Sequence, residues 1–312
     1  MEQNGIILKA PFIRSKETTA TIMRDVMIAL APAALFGIYK FGFRAFLILL
    51  LSVTSCVLAE YICKKVKKVQ SSGYECSAMV TGLLLGMNLS FDVPYWVPVA
   101  GGVFAIVVVK MLFGGLGRNL LNPALTAKCA LLIATGKFMS ETDSDAMAEL
   151  FEIIIFKWAD WREKFCGFDF ETLSGTIGGT SALMLLLGGL YLVFCNVISL
   201  RIPVAFLAAF TVTLGLCGNY GFRPEYLAMQ LCSDGFLLIV IFMATDYTTS
   251  PMTPMGKVLF GIIVGALAGV FRVMGLSAAG DACAVLIGNL LVPLLDRLTF
   301  PKSFGKGKKA NI

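Results

Sequence analysis

Histidine does not occur anywhere in the 312 residues. Its absence removes the commonest general base, a frequent metal ligand and the usual partner of a serine or cysteine nucleophile. Hydrolase and zinc-enzyme chemistry therefore have no obvious carrier. The nine cysteines (Cys56, Cys63, Cys76, Cys129, Cys166, Cys195, Cys217, Cys232 and Cys283) contain no C-x-x-C spacing and fall mostly in apolar runs. That scatter argues against a disulfide framework and against a metal cluster held by this chain alone. Small-residue packing is the default role of such thiols. Charge is also scarce, at 15% of residues. No Gly-Lys-Ser/Thr follows a glycine-rich stretch, which excludes a Walker loop. Residues 1–16 are polar and lack a short apolar core, so no cleavable signal peptide is read there.

What fills the chain instead is hydrocarbon. Apolar residues make up 57%, and the mean hydropathy is +0.82. Apolar runs recur at lengths suited to ~30 Å of bilayer core at 1.5 Å per residue. Ten spans are predicted, near 24–40, 43–63, 76–91, 93–113, 119–136, 180–198, 202–219, 226–244, 256–273 and 276–296. The third is short and rich in Gly, Thr and Ser, as in a broken or re-entrant helix. The expected fold is an all-α polytopic membrane protein of about ten transmembrane helices.

Lys and Arg in the short loops set the orientation. Lys64, Lys65, Lys67 and Lys68 form the strongest cluster, and Lys302, Lys306, Lys308 and Lys309 add to it. An even number of spans puts both termini on that side, the cytoplasm. Arg14, Lys16, Arg118 and Arg201 then fall inside, and Lys40, Arg44, Arg223 and Arg272 outside. The net charge of +6 follows this topology and suggests no nucleic-acid partner. Three regions are expected: a first membrane half over 1–136, an external loop over 137–176, and a second half over 177–312. The loop carries nine acids against four bases. A weak echo relates the halves: 111–123 resembles 243–254, and Ser77-Ala78-Met79 resembles Ser181-Ala182-Leu183. Five spans per half would give two inverted halves with broken helices, a plan common in transporters.

Two polar stretches interrupt the apolar pattern, Gly114–Thr126 and Ala244–Pro254. Asn119 and Asn122 offer donors and acceptors suited to the edge of a flat heterocycle. A tight interhelical turn with its caps is the plainer reading. Asp246 is placed to bind a cation, pair with an arginine or cap a turn. Asp25, Glu60, Asp234 and Asp281 lie within or near span ends, where a charge is costly; pairing or snorkelling is the default for each. Lys110 and Lys128 are expected to reach an interface or pair with an acid. Gly178-Gly179-Thr180-Ser181-Ala182-Leu183 opens the sixth span. Thr180 is an ordinary N-cap candidate, and the two glycines before it either let the chain turn or clear room for a large group.

Several motifs together resemble one family. They are Arg14-Ser15-Lys16 with Ile22-Met23-Arg24-Asp25-Val26, "GGLGRNLLNPALTA" at 114–127, "GGTSAL" at 178–183, and "ATDYTTSPMTPMGK" at 244–257. The chain resembles the RnfD proteins of Rnf electron-transport complexes and, more distantly, the NqrB proteins of sodium-pumping NADH:quinone oxidoreductases. The resemblance implies a redox subunit of a complex that couples electron flow between ferredoxin and NAD to Na⁺ or H⁺ movement. It implies an FMN joined through its phosphate to a threonine at the outer surface, matched here by Thr180. A register shifted by one residue would place Ser181 there. It further implies a non-covalent riboflavin, near Asn119 and Asn122 and with Asp246 and Thr248 close by. The other Rnf-type proteins (A, B, C, E and G), a flavin transferase and the bacterial cytoplasmic membrane complete the expectation. Two positions depart from the family pattern: Gly-Gly-Thr-Ser-Ala stands for the better-known Ser-Gly-Ala-Thr, and Phe12 for a common histidine. A small-solute channel or secondary transporter with no redox role fits the same architecture.

Overall fold

A computed structural model describes residues 18–68, 76–115, 117, 119–135, 176–218, 221–233, 235–276 and 278–300. The Arg14–Lys16 motif, Asp234, the basic tail and all but Thr176 of the expected external loop lie outside these residues. Among the described residues every regular element is helical. They are α1 (Thr19–Val66), α2 (Ser77–Met87), α3 (Trp96–Phe104) continued by a π-helical turn (Ala105–Met111), and α4 (Pro123–Thr135). A 3₁₀ turn (Gly178–Thr180) precedes α5 (Ala182–Phe194), α6 (Arg201–Cys217) and α7 (Pro224–Cys232). Then come α8 (Phe236–Leu238) with its own π-helical turn (Ile239–Met243), α9 (Pro254–Val273) and α10 (Ala278–Thr299).

Each predicted span overlaps one of these elements, with α1 covering the first two. Its 48 residues would run about 70 Å as one straight helix, over twice a bilayer core. The chain breaks it at Gly42, where φ is +70° and ψ −157°, a conformation open in practice only to glycine. Both sides of the break pack on the segment after α2. Phe41 stacks on Phe91 with ring centroids 4.5 Å apart, and Arg44 donates to Asp92 O at 2.8 Å. By length and composition, three helices suffice to cross a membrane, namely Thr19–Val66, Pro254–Val273 and Ala279–Thr299. A fourth forms if Tyr226–Cys232 and Phe236–Met243, bent by 62°, count as one. The others are apolar but shorter.

The third and eighth predicted spans, counterparts in a five-plus-five arrangement, are the two interrupted ones. α2 stops at Met87, and Asn88 and Leu89 continue it as fully buried irregular chain. α7 and α8 meet at Gly235, whose φ is +72°. Irregular backbone at membrane depth persists only where protein surrounds it, and here each break is enclosed by helices. The tightest packing joins α9 to α6, where Gly261, Gly265 and Gly269 form a small-residue stripe. A Cβ at Gly261 would lie 2.8 Å from Ile202 O, and one at Gly265 would run into Phe206 O. Phe206, Phe210 and Phe236 fill the neighbouring core, with Phe210 and Phe236 stacked at 4.2 Å.

The echo between 111–123 and 243–254 is structural. Both stretches leave a π-helical turn ending in Met, marked by i→i+5 bonds from Gly115 N to Lys110 O and from Ala244 N to Ile239 O. Both then open a helix with a polar cap and proline at its first position. The Asn122 carboxamide oxygen accepts from Ala124 N at 3.1 Å, and Thr253 Oγ1 accepts from Gly256 N at 3.0 Å.

Candidate functional site

Thr180 lies where the two interrupted spans meet. Ile177 N donates to Leu89 O at 3.0 Å, tying the turn to the end of α2. Gly179 rests on the other break, since a Cβ there would sit 2.6 Å from Gly235 N. One at Gly178 would sit 2.7 Å from Met87 Cβ. The glycines thus admit backbone and side chains of this protein, which fill the room expected for a ligand. Ser181 Oγ caps α5 by accepting from Met184 N at 3.3 Å. The cap expected of Thr180 therefore belongs to its neighbour. Thr180 is 2% exposed, and its hydroxyl donates over a long 3.3 Å to Ile177 O.

The two polar stretches come together at the other end of α5. Asn122 Nδ2 donates to Met243 O at 3.3 Å. The Asn289 amide on α10 bridges them, donating to Thr249 O and accepting from Asn122 N, each at 3.2 Å. Asn119, Asp246 and Thr248 line one cavity between the starts of α1, α2 and α4 and the end of α5. Lys110, Ser77, Thr81 and Tyr247 complete its polar wall. Asn122 does not line it, because its amide is used by the α4 cap and Met243 O. Asn119 differs: it is 7% exposed, and its Oδ1 has no hydrogen-bond donor among the described residues. The cavity volume is about 70 Å³, against the ~150 Å³ of a cavity that takes up benzene. A three-ring ligand enters only if these walls part.

Asp246 is half-buried, and it closes a local turn. Its carboxylate accepts from Thr248 N at 3.1 Å and from Thr248 Oγ1 at 3.0 Å. Burial pushes this carboxyl above its ordinary value, and the two Thr248 bonds only partly oppose that. Of the three roles open to Asp246, capping is the one the geometry shows.

Ion pairs left unassigned by the sequence find partners. Lys110, 1% exposed, donates to Glu60 Oε2 at 2.9 Å and to Ser77 Oγ at 2.7 Å. Lys64 meets the other Glu60 oxygen at 2.9 Å. The expectation that Lys110 pairs with an acid is met inside the bundle. Lys128, fully buried, donates to Asn88 Oδ1 at 3.2 Å. Asp25 pairs with Arg24 at 3.7 Å. At the far end of α9, Arg272 binds Asp281, Ser233 and Gln230 and lies over the Phe210 and Phe236 rings. Ser77 is marked in the sequence only by its echo of Ser181, and Gln230 and Ser233 are not singled out there; polarity next to a short or bent span is the available hint.

α5 separates the two places. Its 13 residues set the Thr180 turn roughly 20 Å from the cavity. α1 starts at the cavity, and α10 ends against the second polar stretch, where Asp296 accepts from Met252 N at 3.0 Å.

Comparison with known proteins adds identity to this geometry. The D component of the Na⁺-translocating ferredoxin:NAD⁺ oxidoreductase complex of Acetobacterium woodii is 36% identical, over 98% of this chain and 97% of its own. Its counterpart in the proton-translocating ferredoxin:NAD⁺ oxidoreductase complex of Clostridium ljungdahlii is 33% identical over 96% of each. The corresponding component of an ion-translocating oxidoreductase complex from Halorhodospira halophila is 31% identical over 96% of this chain and 95% of its own. The profile of the NQR2, RnfD, RnfE family matches residues 6–305. A membrane-embedded, all-helical chain with these motifs in this order belongs to that family.

Proposed function

We propose that this chain is the flavin-carrying membrane subunit of an Rnf-type complex that couples electron transfer between ferredoxin and NAD to Na⁺ or H⁺ translocation. Relatives similar over nearly the whole length bear names of that activity. One name specifies Na⁺ and the other the proton, so the reading keeps both cations. The basic cluster at Lys64–Lys68 assigns the cavity end to the cytoplasm of a bacterial cell and the Thr180 end to the outside.

The observation that carries the flavin reading is the division of labour at 180–181. Ser181 holds the helix cap, which leaves the Thr180 hydroxyl with one long bond to Ile177 O. A phosphoester at Thr180 would forfeit that one long bond and needs the packed turn to open, whereas one at Ser181 would remove the cap. Thr180 is thus the residue to hold FMN. For riboflavin, the fitting group is Asn119: its orphaned Oδ1 is an acceptor suited to an imide N–H on a flavin edge. When bound, flavin supplies one- and two-electron chemistry. The chain's own part is to position and to fix charge. Lys110, clamped by Glu60 and Ser77, places a cation at the cavity wall and favours negative charge there. Asp246 holds Thr248 rigid on the opposite side. Partner proteins of the complex and a flavin transferase belong to the same reading.

Peptide mass spectrometry of the complex made alongside a flavin transferase tests this directly. An FMN-sized adduct is expected on the peptide containing Thr180, retained in Ser181→Ala and absent in Thr180→Ala. Loss only with Ser181→Ala would move the attachment. No adduct in any sample would remove the covalent flavin from this chain.

A further inference from the structure

We propose that Cys129 on α4 and Cys283 on α10 form an oxidisable dithiol, a modification site that closes to a disulfide when a hydroperoxide reaches the bundle. The two residues are 154 positions apart, yet their sulfurs lie 3.7 Å from one another. Both are half-buried, so a small apolar oxidant has a path to them. Sulfurs at van der Waals distance need to close by about 1.7 Å to reach the ~2.05 Å of a disulfide.

The chemistry balances with one equivalent of oxidant. One thiol sulfur attacks the O–O bond of the hydroperoxide, forming a sulfenic acid and releasing an alcohol. The second thiol then displaces the sulfenic oxygen as water, and the S–S bond forms. Two electrons pass in total, one from each sulfur, to the peroxide. A sulfenic acid with a resolving thiol in contact is diverted from irreversible over-oxidation. A lone thiol has no such exit.

The place gives the bond a consequence. α4 and α10 run antiparallel and also meet at Asn122 and Asn289, which together with Thr249 join the two polar stretches. A disulfide pins these helices at a second level and locks the two stretches to each other. The dithiol itself needs neither the family likeness nor the flavin reading; its effect on ion transport rests on the proposed ion-translocating function.

The test treats the purified complex with tert-butyl hydroperoxide, blocks free thiols with N-ethylmaleimide and maps peptides without reduction. A linked pair carrying Cys129 and Cys283, two hydrogens lighter than the sum and released by dithiothreitol, is expected. In Cys283→Ser, Cys129 should instead advance to sulfinic acid. Separate alkylation of both residues after oxidant treatment overturns the site. The lock predicts that linked protein loses ion transport severalfold, regains it with dithiothreitol, and that Cys129→Ser is insensitive to oxidant. Unchanged transport in fully linked protein overturns the lock.

Discussion

At the scale of single residues, neighbours in sequence do different work. Ser181→Ala removes the α5 cap and should cost about 1 kcal/mol, read as a lowered midpoint in thermal unfolding of the purified protein. Thr180→Ala should leave that midpoint nearly unchanged while abolishing the adduct. Asn122 and Asn119 divide similarly. Asn122→Ala strips the α4 cap and leaves Met243 O without its donor, a loss of about 1–3 kcal/mol. Asn119→Ala removes an acceptor that bonds nothing among the described residues, so its effect should fall on acid-released riboflavin, not on stability. Asp246 supplies a pH signature. Its folded value stands above the ordinary 3.8, so the charged form is the disfavoured one in the fold. Its contribution is complete below pH 3.8 and fades as pH rises through the folded value. Asp246→Asn should flatten that part of the stability profile; a profile identical to wild type would rule the effect out.

At the scale of elements, glycine decides where helices break and how closely they pack. Gly42 is the hinge that turns one apolar stretch into two spans, and alanine there must occupy a backbone region closed to it. A cost of about 1–3 kcal/mol is expected, measured as reduced yield of folded, detergent-stable protein. Gly265→Val acts differently, by forcing α9 off the Phe206 carbonyl. That substitution should loosen the α6–α9 pair and accelerate hydrogen exchange in both helices. If exchange there stays at the wild-type rate, the stripe does not set the packing.

At the scale of the whole molecule, buried charge and burial of the Thr180 turn dominate. Lys110 and Glu60 are both nearly inaccessible, so removing Glu60 leaves the Lys110 charge uncompensated inside, whereas removing Lys110 leaves Glu60 its 2.9 Å bridge to Lys64. Glu60→Gln alone should destabilise by about 3–5 kcal/mol, and Lys110→Met by less. The double variant should recover much of that loss, and a double loss equal to the sum of the two single losses would show the pair to be uncoupled. The docked turn has a kinetic counterpart. With the turn docked on Leu89 through Ile177 and on Gly235 through Gly179, and Thr180 buried, a transferase should act only before the turn seats. Transferase added to purified, folded protein should give far less adduct than transferase present during synthesis. Comparable yields from both would show that the turn opens readily.

Much of this was legible in one dimension. Hydropathy alone located ten apolar runs, each of which overlaps a helix, because transfer into hydrocarbon is a local property of each run. The interruptions at 114–126 and 244–254 stood out because polar turn residues cannot hide there. The motifs that carry the family resemblance lie in those same interruptions and at the start of α5. Only the tertiary structure decided which hydroxyl caps α5, which glycines meet backbone and which amide is left unpaired. It also decided that Lys110 finds Glu60, 50 residues away, and that Cys129 finds Cys283 across 154. The physical reason is the same in each case. A membrane span advertises itself by its own composition, but its partners depend on the lateral order and rotation of helices. Those are fixed by close packing among many residues at once, and no single stretch of sequence contains them.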